Sequence, residues 1–191
     1  GGAPSGGSDT YSSSVGAVKY RDAQVGGCVE AIVETRADGS TLVRSTEALL
    51  PFPLRFTDRL EQWAKSAPDR TFVARRDRGG DWRRISYAQM LVRAQAVGQS
   101  LLELGLSVDR PLAILSGNDL EHLTLALGAL WAGVPYVPVS TAYSLVSQDH
   151  GKLRYILGKV TPGAVYASDA AYAKAIEATV PGDVTRIIGE S

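Results

Sequence analysis

Cysteine is almost missing from this sequence: Cys28 is the only one in 191 residues. A single thiol excludes an internal disulfide framework and any zinc site built on several cysteines. It fits a reducing cytoplasm, and its expected place is that of a small packed residue. Net charge is missing too. Twenty Lys and Arg offset twenty Asp and Glu, so the totals offer no electrostatic handle for nucleic acid or an anionic membrane. No apolar run reaches the ~20 residues needed to span a bilayer, because Asp, Glu, Arg or Gly interrupts each candidate. The opening GGAPSGGSDTYSSSVGA has neither the basic nor the apolar region of a signal peptide.

Several motifs are absent as well. No G-x-G-x-x-G follows a strand, which disfavours a nicotinamide or flavin site. No G-x-x-x-x-G-K-[ST] occurs, so the motif of a P-loop nucleotide site is missing. There is no G-x-S-x-G elbow and no His/Cys/carboxylate ligand cluster. The residues therefore nominate no catalytic group and no metal ligand.

What is present reads as a globular α/β chain, 45% hydrophobic and 21% charged. Residues 1–18 are Gly/Ser-rich and expected to be a flexible tail. Residues 19–50 are expected to form a hairpin extension: CVEAIVETR and STLVRST flank the turn Ala37-Asp38-Gly39, and Val29, Ala31 and Val33 alternate with Glu30, Ile32 and Glu34. Residues 51–191 carry the main α/β body. There, TDRLEQWAKSAPDR predicts a helix capped by Thr57, with Leu60, Trp63 and Ala64 inward. TFVARR and WRRI predict paired strands around Arg78-Gly79-Gly80-Asp81. Ser86 and Gln89 form a capping box, with Ile85 stapled on Met90, ahead of a helix that Gly105 stops.

An alternation follows. PLAILS is a short apolar strand; Asn118 is expected to cap a nearly all-apolar helix from Asp119 to Trp131. Full burial of Leu120, Leu123, Leu127 and Leu130 would contribute roughly 6–12 kcal/mol before entropy. Gly128 costs that helix about 1 kcal/mol, which implies a close neighbouring backbone. VPYVPV is the next strand, Ser147 caps a helix to about Val160, GAVYA is a strand, Ser168-Asp169 opens a helix, and VTRIIG closes the series. Strands alternating with helices predict a wound, mostly parallel sheet flanked by helices. Pro135 and Pro138 sit awkwardly in a central strand.

Ligands of wound sheets bind outside the carboxyl ends of the strands. That places Ser116, Asn118, Ser140, Thr141 and Tyr143 on a candidate pocket rim beside helix N-termini. Capping alone also accounts for Asn118, Ser147 and Ser168; His122 reads as a satisfied histidine rather than a catalyst, and His150 has no acidic or nucleophilic neighbour in sequence that would form a triad. A free-standing α/β module binding a small anion stays open, as does a flavodoxin-like or dehydrogenase domain.

LTLALGALWAGVPYVPVS, AYSLVSQDHGKLRYIL and TPGAVYA resemble the N-terminal part of the adenylate-forming superfamily, the AMP-dependent acyl-CoA synthetases and ligases. TDRLEQWAKSAPDRTF, ISYAQML and ILSGNDLEH fit the same layout, and with AYSLVS they are most similar to feruloyl-CoA synthases. The family motif often ends in Asp where this chain has Ser140, so no carboxylate role carries over. The resemblance implies ATP, Mg²⁺ and coenzyme A as participants, an aromatic carboxylic acid as substrate, and a cytoplasmic enzyme. It also implies that the phosphate, ribose and thiol machinery lies in segments this chain lacks. The expectation is thus a partial adenylate-forming N-terminal domain: inactive alone, partnered by the remainder of its own chain, bound to no nucleic acid or membrane, and self-associating through exposed apolar surface.

Overall fold

The structure, a computed structural model, describes residues 30–189. The expected tail over residues 1–18, Cys28 and Val29 lie outside these. The chain divides into two compact units, Gly1–Pro51 and Phe52–Ser191.

In the first unit, β1 (Ala31–Thr35) and β2 (Thr41–Ser45) pair antiparallel with Val33 opposite Val43. Gly39 takes φ +82 in the turn, a left-handed conformation that glycine adopts without a Cβ penalty. The Asp38 carboxylate accepts from the Ser40 hydroxyl and N–H at 2.7 and 2.9 Å. The expected hairpin is present.

The second unit opens with α1 (Thr57–Ser66), but Thr57 does not cap it. Phe56 occupies the cap position, no side chain caps the helix, and Thr57 lies inside at 1% exposure. Leu60 and Ala64 are buried as expected, whereas Trp63 stays 41% exposed and stacks on Tyr87 at 5.9 Å. β3 (Thr71–Arg76) and β4 (Trp82–Ser86) pair antiparallel around a turn in which Asp77 accepts from the Asp81 N–H. Ser86 and Gln89 then close the capping box of α2 (Tyr87–Glu103). Ile85 and Met90, at 2% and 0% exposure, share one core cluster with Leu60, Ala94, Leu120 and Leu127.

The central sheet runs β6 (Tyr136–Pro138), β5 (Leu112–Ile114), β7 (Ala164–Ala167), β8 (Thr185–Ile188), all parallel. Period-two alternation splits its residues between two cores. Leu112, Ile114, Ala164 and Tyr166 pack towards α2 and α3 (Leu120–Ala132). Ala113, Leu115, Val165 and Ala167 pack towards α5 (Gly151–Val160) and α6 (Ala173–Thr179). Helices therefore cover both faces, the α/β architecture that the sequence predicts.

Three local expectations differ. The cap of α3 is Asp119, whose carboxylate accepts from the His122 N–H; Asn118 precedes it, exposed. Of the four leucines counted inward, Leu120 and Leu127 are 3% exposed, but Leu130 is 38% exposed, so the burial gain is smaller. Ser147 accepts from the His150 N–H, yet α5 begins one residue later, behind His150 in a left-handed conformation. Between β6 and α5 lies a short helix, α4 (Ala142–Leu145).

The proline problem resolves through register. The Val139 N–H donates to the Ile114 carbonyl, and the Pro135 carbonyl accepts from Leu112. Alternation then turns residues 135, 137 and 139 towards β5 and residues 136 and 138 outward. Pro135 precedes the first ladder donor of its strand, and the donor Pro138 lacks would have pointed off the edge. Among the described residues β6 is an edge strand, where proline is tolerated.

Candidate functional site

Strand order decides where a ligand fits. From β5 the chain passes through α3 on one face to reach β6. From β6 it passes through α4 and α5 on the other face to reach β7, on the opposite side of β5. The crossovers leaving β5 and β7 thus depart to opposite faces, opening a crevice between their carboxyl ends.

A cleft of about 550 Å³ lies there. Its floor and one wall come from the strand ends: Gly117, Asn118 and Asp119 after β5, Tyr166, Ser168 and Asp169 from β7, and Gly189 after β8. The facing wall is the β3–β4 hairpin, with Arg75, Arg76, Asp77, Arg78 and Arg83. Arg83 reaches the Glu121 carboxylate of α3 at 3.6 Å, linking the walls. Arg76 stacks on Trp82 at 5.0 Å.

The acidic wall is held by backbone. Asp119 accepts the His122 N–H, and Asp169 accepts from the Ala171 N–H at 2.8 Å and the Ser168 hydroxyl at 3.1 Å. His122 Nδ1 lies 3.0 Å from the Gly117 carbonyl and 3.2 Å from the Ser116 Oγ. A carbonyl can only accept, so Nδ1 carries the proton, and the imidazole pins the loop that presents Asn118. His122 is a satisfied histidine, as the sequence reading has it. Gly189 has no room for a side chain, since a Cβ there would stand 2.5 Å from the Ser168 carbonyl oxygen.

At the cleft floor the Tyr166 hydroxyl is pushed up to about 12, first by burial and then by the charges of Asp119, Glu121 and Asp169. It is a neutral donor near neutral pH. Because its folded value exceeds the unfolded 10.0, its contribution to stability is whole below pH 10 and declines as pH rises towards about 12. Tyr166→Phe should delete a phenol titrating near 12 from the phenolate absorbance curve and flatten the alkaline loss of stability. An unchanged curve would place that titration elsewhere.

The five rim residues divide. Asn118 lines the cleft. Ser116, 3% exposed, stands behind it against His122. Thr141 approaches the loop, its Cγ2 3.9 Å from where a Cβ on Gly117 would be. Ser140 is exposed beyond β6. Tyr143, on α4, lines a separate groove of about 300 Å³ with Gly151, Lys152, Tyr155 and Ile156. The strand-end reading reaches Ser168 and Asp169 but misses the arginine wall, Tyr166 and Asp119. One signal was visible: residues 75–84 hold five arginines against two aspartates, a local +3 inside a neutral chain. Among the described residues no group of three His, Cys, Asp or Glu comes together to hold a metal ion, and no helix is long and apolar enough to cross a membrane.

The chain is 34% identical over 121 residues to the long-chain-fatty-acid–CoA ligase ACSBG1 of Mus musculus, covering 60% of this chain and 16% of that protein. It is 28% identical over 97 residues to tyrocidine synthase 1 of Brevibacillus parabrevis, covering 51% of this chain and 8% of that one. The chain thus spans a small part of the length of these relatives. Among solved structures, a benzoate CoA ligase from Burkholderia xenovorans superimposes with a TM-score of 0.59 at 22% identity, over 72% of this chain and 26% of that one. The N-terminal domain of FACL13 from Mycobacterium tuberculosis gives 0.55 at 29% identity, over 68% and 32%. The family described as AMP-binding enzyme matches residues 60–189, which hold α2, α3, the whole parallel sheet and every residue lining its cleft. With that match running over more than half of its length, the chain belongs to the AMP-binding enzyme family.

Proposed function

We propose that this chain is the N-terminal portion of an ATP-dependent acid–thiol ligase that makes acyl-CoA from a hydroxycinnamic acid such as ferulic acid. The reading is supported by family membership and by the likeness to a long-chain-fatty-acid–CoA ligase. AYSLVS and the segments around it carry the finer, hydroxycinnamate part. Residues 51–191 are proposed as the first α/β subdomain of the adenylate-forming domain and residues 19–50 as its hairpin extension. The proposed setting is the cytoplasm.

The chemistry is leaving-group activation. A carboxylate oxygen bonds to the α-phosphorus of ATP as the bond to pyrophosphate breaks; the thiol sulfur of coenzyme A then bonds to the acyl carbon as AMP leaves. A carboxylate resists thiol attack, while its mixed anhydride does not. Mg²⁺ would come from ligands supplied elsewhere in a longer protein, since the described residues bring no ligand group together. The observation that carries the reading is the cleft at the crevice between β5 and β7. There Asn118 and the protonated Tyr166 hydroxyl offer donors, with Ser116 behind them and Thr141 beside the Gly117 loop, while Ser140 lies beyond β6 and Tyr143 lines its own groove.

The described residues supply no acid–base or nucleophilic constellation, so the 191-residue chain is proposed to be inactive alone and partnered by the remainder of a longer protein. Leu54 and Phe56, 96% and 75% exposed, mark apolar surface for that packing or for self-association. Ferulate-dependent ATP–pyrophosphate exchange, measured on this chain and on the longer protein, tests the reading. Exchange by the longer protein only is expected; exchange by this chain alone overturns inactivity. Exchange by the longer protein with another acid and not with ferulate overturns the substrate.

A further inference from the structure

A second cavity lies at the opposite end of the sheet from the strand-end cleft and shares no residue with it. It holds about 470 Å³ beside the amino ends of β5, β7 and β8, where Arg110, Pro162 and Val184 stand just ahead of the strands. Asp109, Arg110 and Asp183 line it, and none of their side chains makes a hydrogen bond or ion pair among the described residues. Arg154 is engaged, its guanidinium donating to the Ala178 carbonyl at 2.6 Å and tying α5 to α6.

The end of α5 adds free acceptors. In a continuing helix the Gly158 carbonyl would take the N–H of residue 162, and Pro162 has none. The Lys159 carbonyl would take the Gly163 N–H, which donates instead to the Pro111 carbonyl at 2.9 Å. Both carbonyls stand at the negative end of the helix. Leu157, Pro162, Pro181 and Val184 supply an apolar lining. Two features hold these walls in place. Thr161 caps α5 at φ +47, a left-handed conformation that costs a non-glycine residue ahead of a proline. A Cβ at Gly163 would stand 3.0 Å from Arg110 Cβ and 3.2 Å from its Nε, so the arginine stem lies against bare backbone.

We propose that this cavity binds a small zwitterion, with an ammonium and a carboxylate carried on a compact apolar chain. The ammonium pairs with Asp109, Asp183 and the α5 carbonyls, the carboxylate pairs with Arg110, and the chain lies on Leu157, Pro181 and Val184. A ligand of one charge would meet unmatched like charge: an anion faces two aspartates and a helix carboxyl end, and a cation faces two guanidiniums. A neutral apolar ligand would desolvate those groups without pairing them. A zwitterion answers both signs, and the volume lies in the range of small-molecule sites. The site goes beyond the ligase reading. It stands apart from the cleft, so its occupant is a second ligand and not the acid that is activated.

Titration calorimetry on the 191-residue chain tests this with 4-aminobutyrate, 6-aminohexanoate, hexylamine and hexanoate as probes. At least one of the two zwitterions is expected to bind, and both single-charge probes should be about tenfold or more weaker. Gly158→Leu is the decisive variant. A Cβ at 158 meets nothing within 4 Å and leucine is the better helix former, so the variant should fold while its side chain fills the cavity. It should lose the zwitterion. Asp183→Asn should weaken it about tenfold, while Arg59→Gln, on α1 and outside the cavity, binds as the parent does. Circular dichroism and the thermal midpoint report the fold of each variant. No binding of either zwitterion by the folded parent, equal binding of hexylamine or hexanoate, or unchanged affinity in folded Gly158→Leu overturns the site. Failure of ferulate-dependent exchange in the longer protein would overturn the ligase reading and leave these affinities untouched.

Discussion

Ile114→Ala should cost the fold about 2–5 kcal/mol and lower the thermal midpoint by roughly 5–15 °C. Ile114 is wholly buried in β5, one of two strands paired on both sides, and packs in the cluster with Leu101, Leu106, Leu112, Ala129, Val134, Ala164 and Tyr166. Its side chain fills the layer between the sheet and the α2–α3 pair, and a short β5 hydrogen-bonded to both neighbours cannot collapse into the hole. The loss therefore includes a cavity term beside the transfer term. Val92→Ala on the exposed side of α2, 65% exposed, should move the midpoint little, within about 0.5 kcal/mol. Thermal unfolding followed by circular dichroism measures both. Similar midpoints for the two variants would mean that β5 is not the centre of the core. Ser116 follows Ile114 by two residues, so the same substitution should also loosen the Gly117–Asn118 rim.

Gly128→Ala should destabilise by about 2 kcal/mol, against a gain of about 1 kcal/mol expected at an ordinary helix position. A Cβ at 128 would stand 2.4 Å from Val97 Cγ1 and 2.7 Å from Val97 Cβ, with the Ala94 carbonyl oxygen at 3.2 Å. From the other helix, a Cβ at Gly98 would stand 2.9 Å from the Gly128 carbonyl oxygen. The two glycines let the α2 and α3 backbones touch. Valine is stiff at χ1 and cannot swing its Cβ away, so one helix must shift. Val97→Ala removes the offending methyls, and the V97A/G128A pair should show a favourable coupling of about 1 kcal/mol or more in a double-mutant cycle. Additive effects would show that the helices separate without regard to Val97. Because α3 carries Asp119, Glu121 and His122 at its other end, a shift of this helix also moves the acidic wall of the cleft.

Some of this was legible in the chain itself. Gly128 in an apolar helix signalled a near backbone, and the structure supplies it as α2. Ser86 with Gln89 marked a capping box through local chemistry, since a hydroxyl and an amide three residues apart satisfy each other's backbone donors without help from the rest of the fold. The caps at Thr57 and Asn118 were misplaced because a polar side chain that suits a cap also suits neighbouring positions. At Asn118 the adjacent Asp119 reaches the His122 N–H instead, and at Thr57 burial wins. The candidate rim was half legible. A linear reading ranks all strand ends equally, so Asn118, Ser140 and Tyr143 looked alike.

The periodicities of two and near four, the glycine and proline stops and the absence of disulfide and P-loop motifs were enough by themselves to determine helices on a parallel sheet. Each of these depends on contacts within a few residues. Strand order, β6-β5-β7-β8, was decided only in three dimensions, because it rests on which apolar face of each helix finds which face of the sheet. That order opens the crevice between β5 and β7, moves Tyr143 away to its own groove, and makes β6 an edge that tolerates Pro138. The tertiary fold also brings the arginines of residues 75–83, remote in sequence from the strand ends of the parallel sheet, into one cleft with Asp119 and Asp169. Within this cleft the charges stand as an arginine-rich wall and an acidic wall, bridged by Arg83 and Glu121.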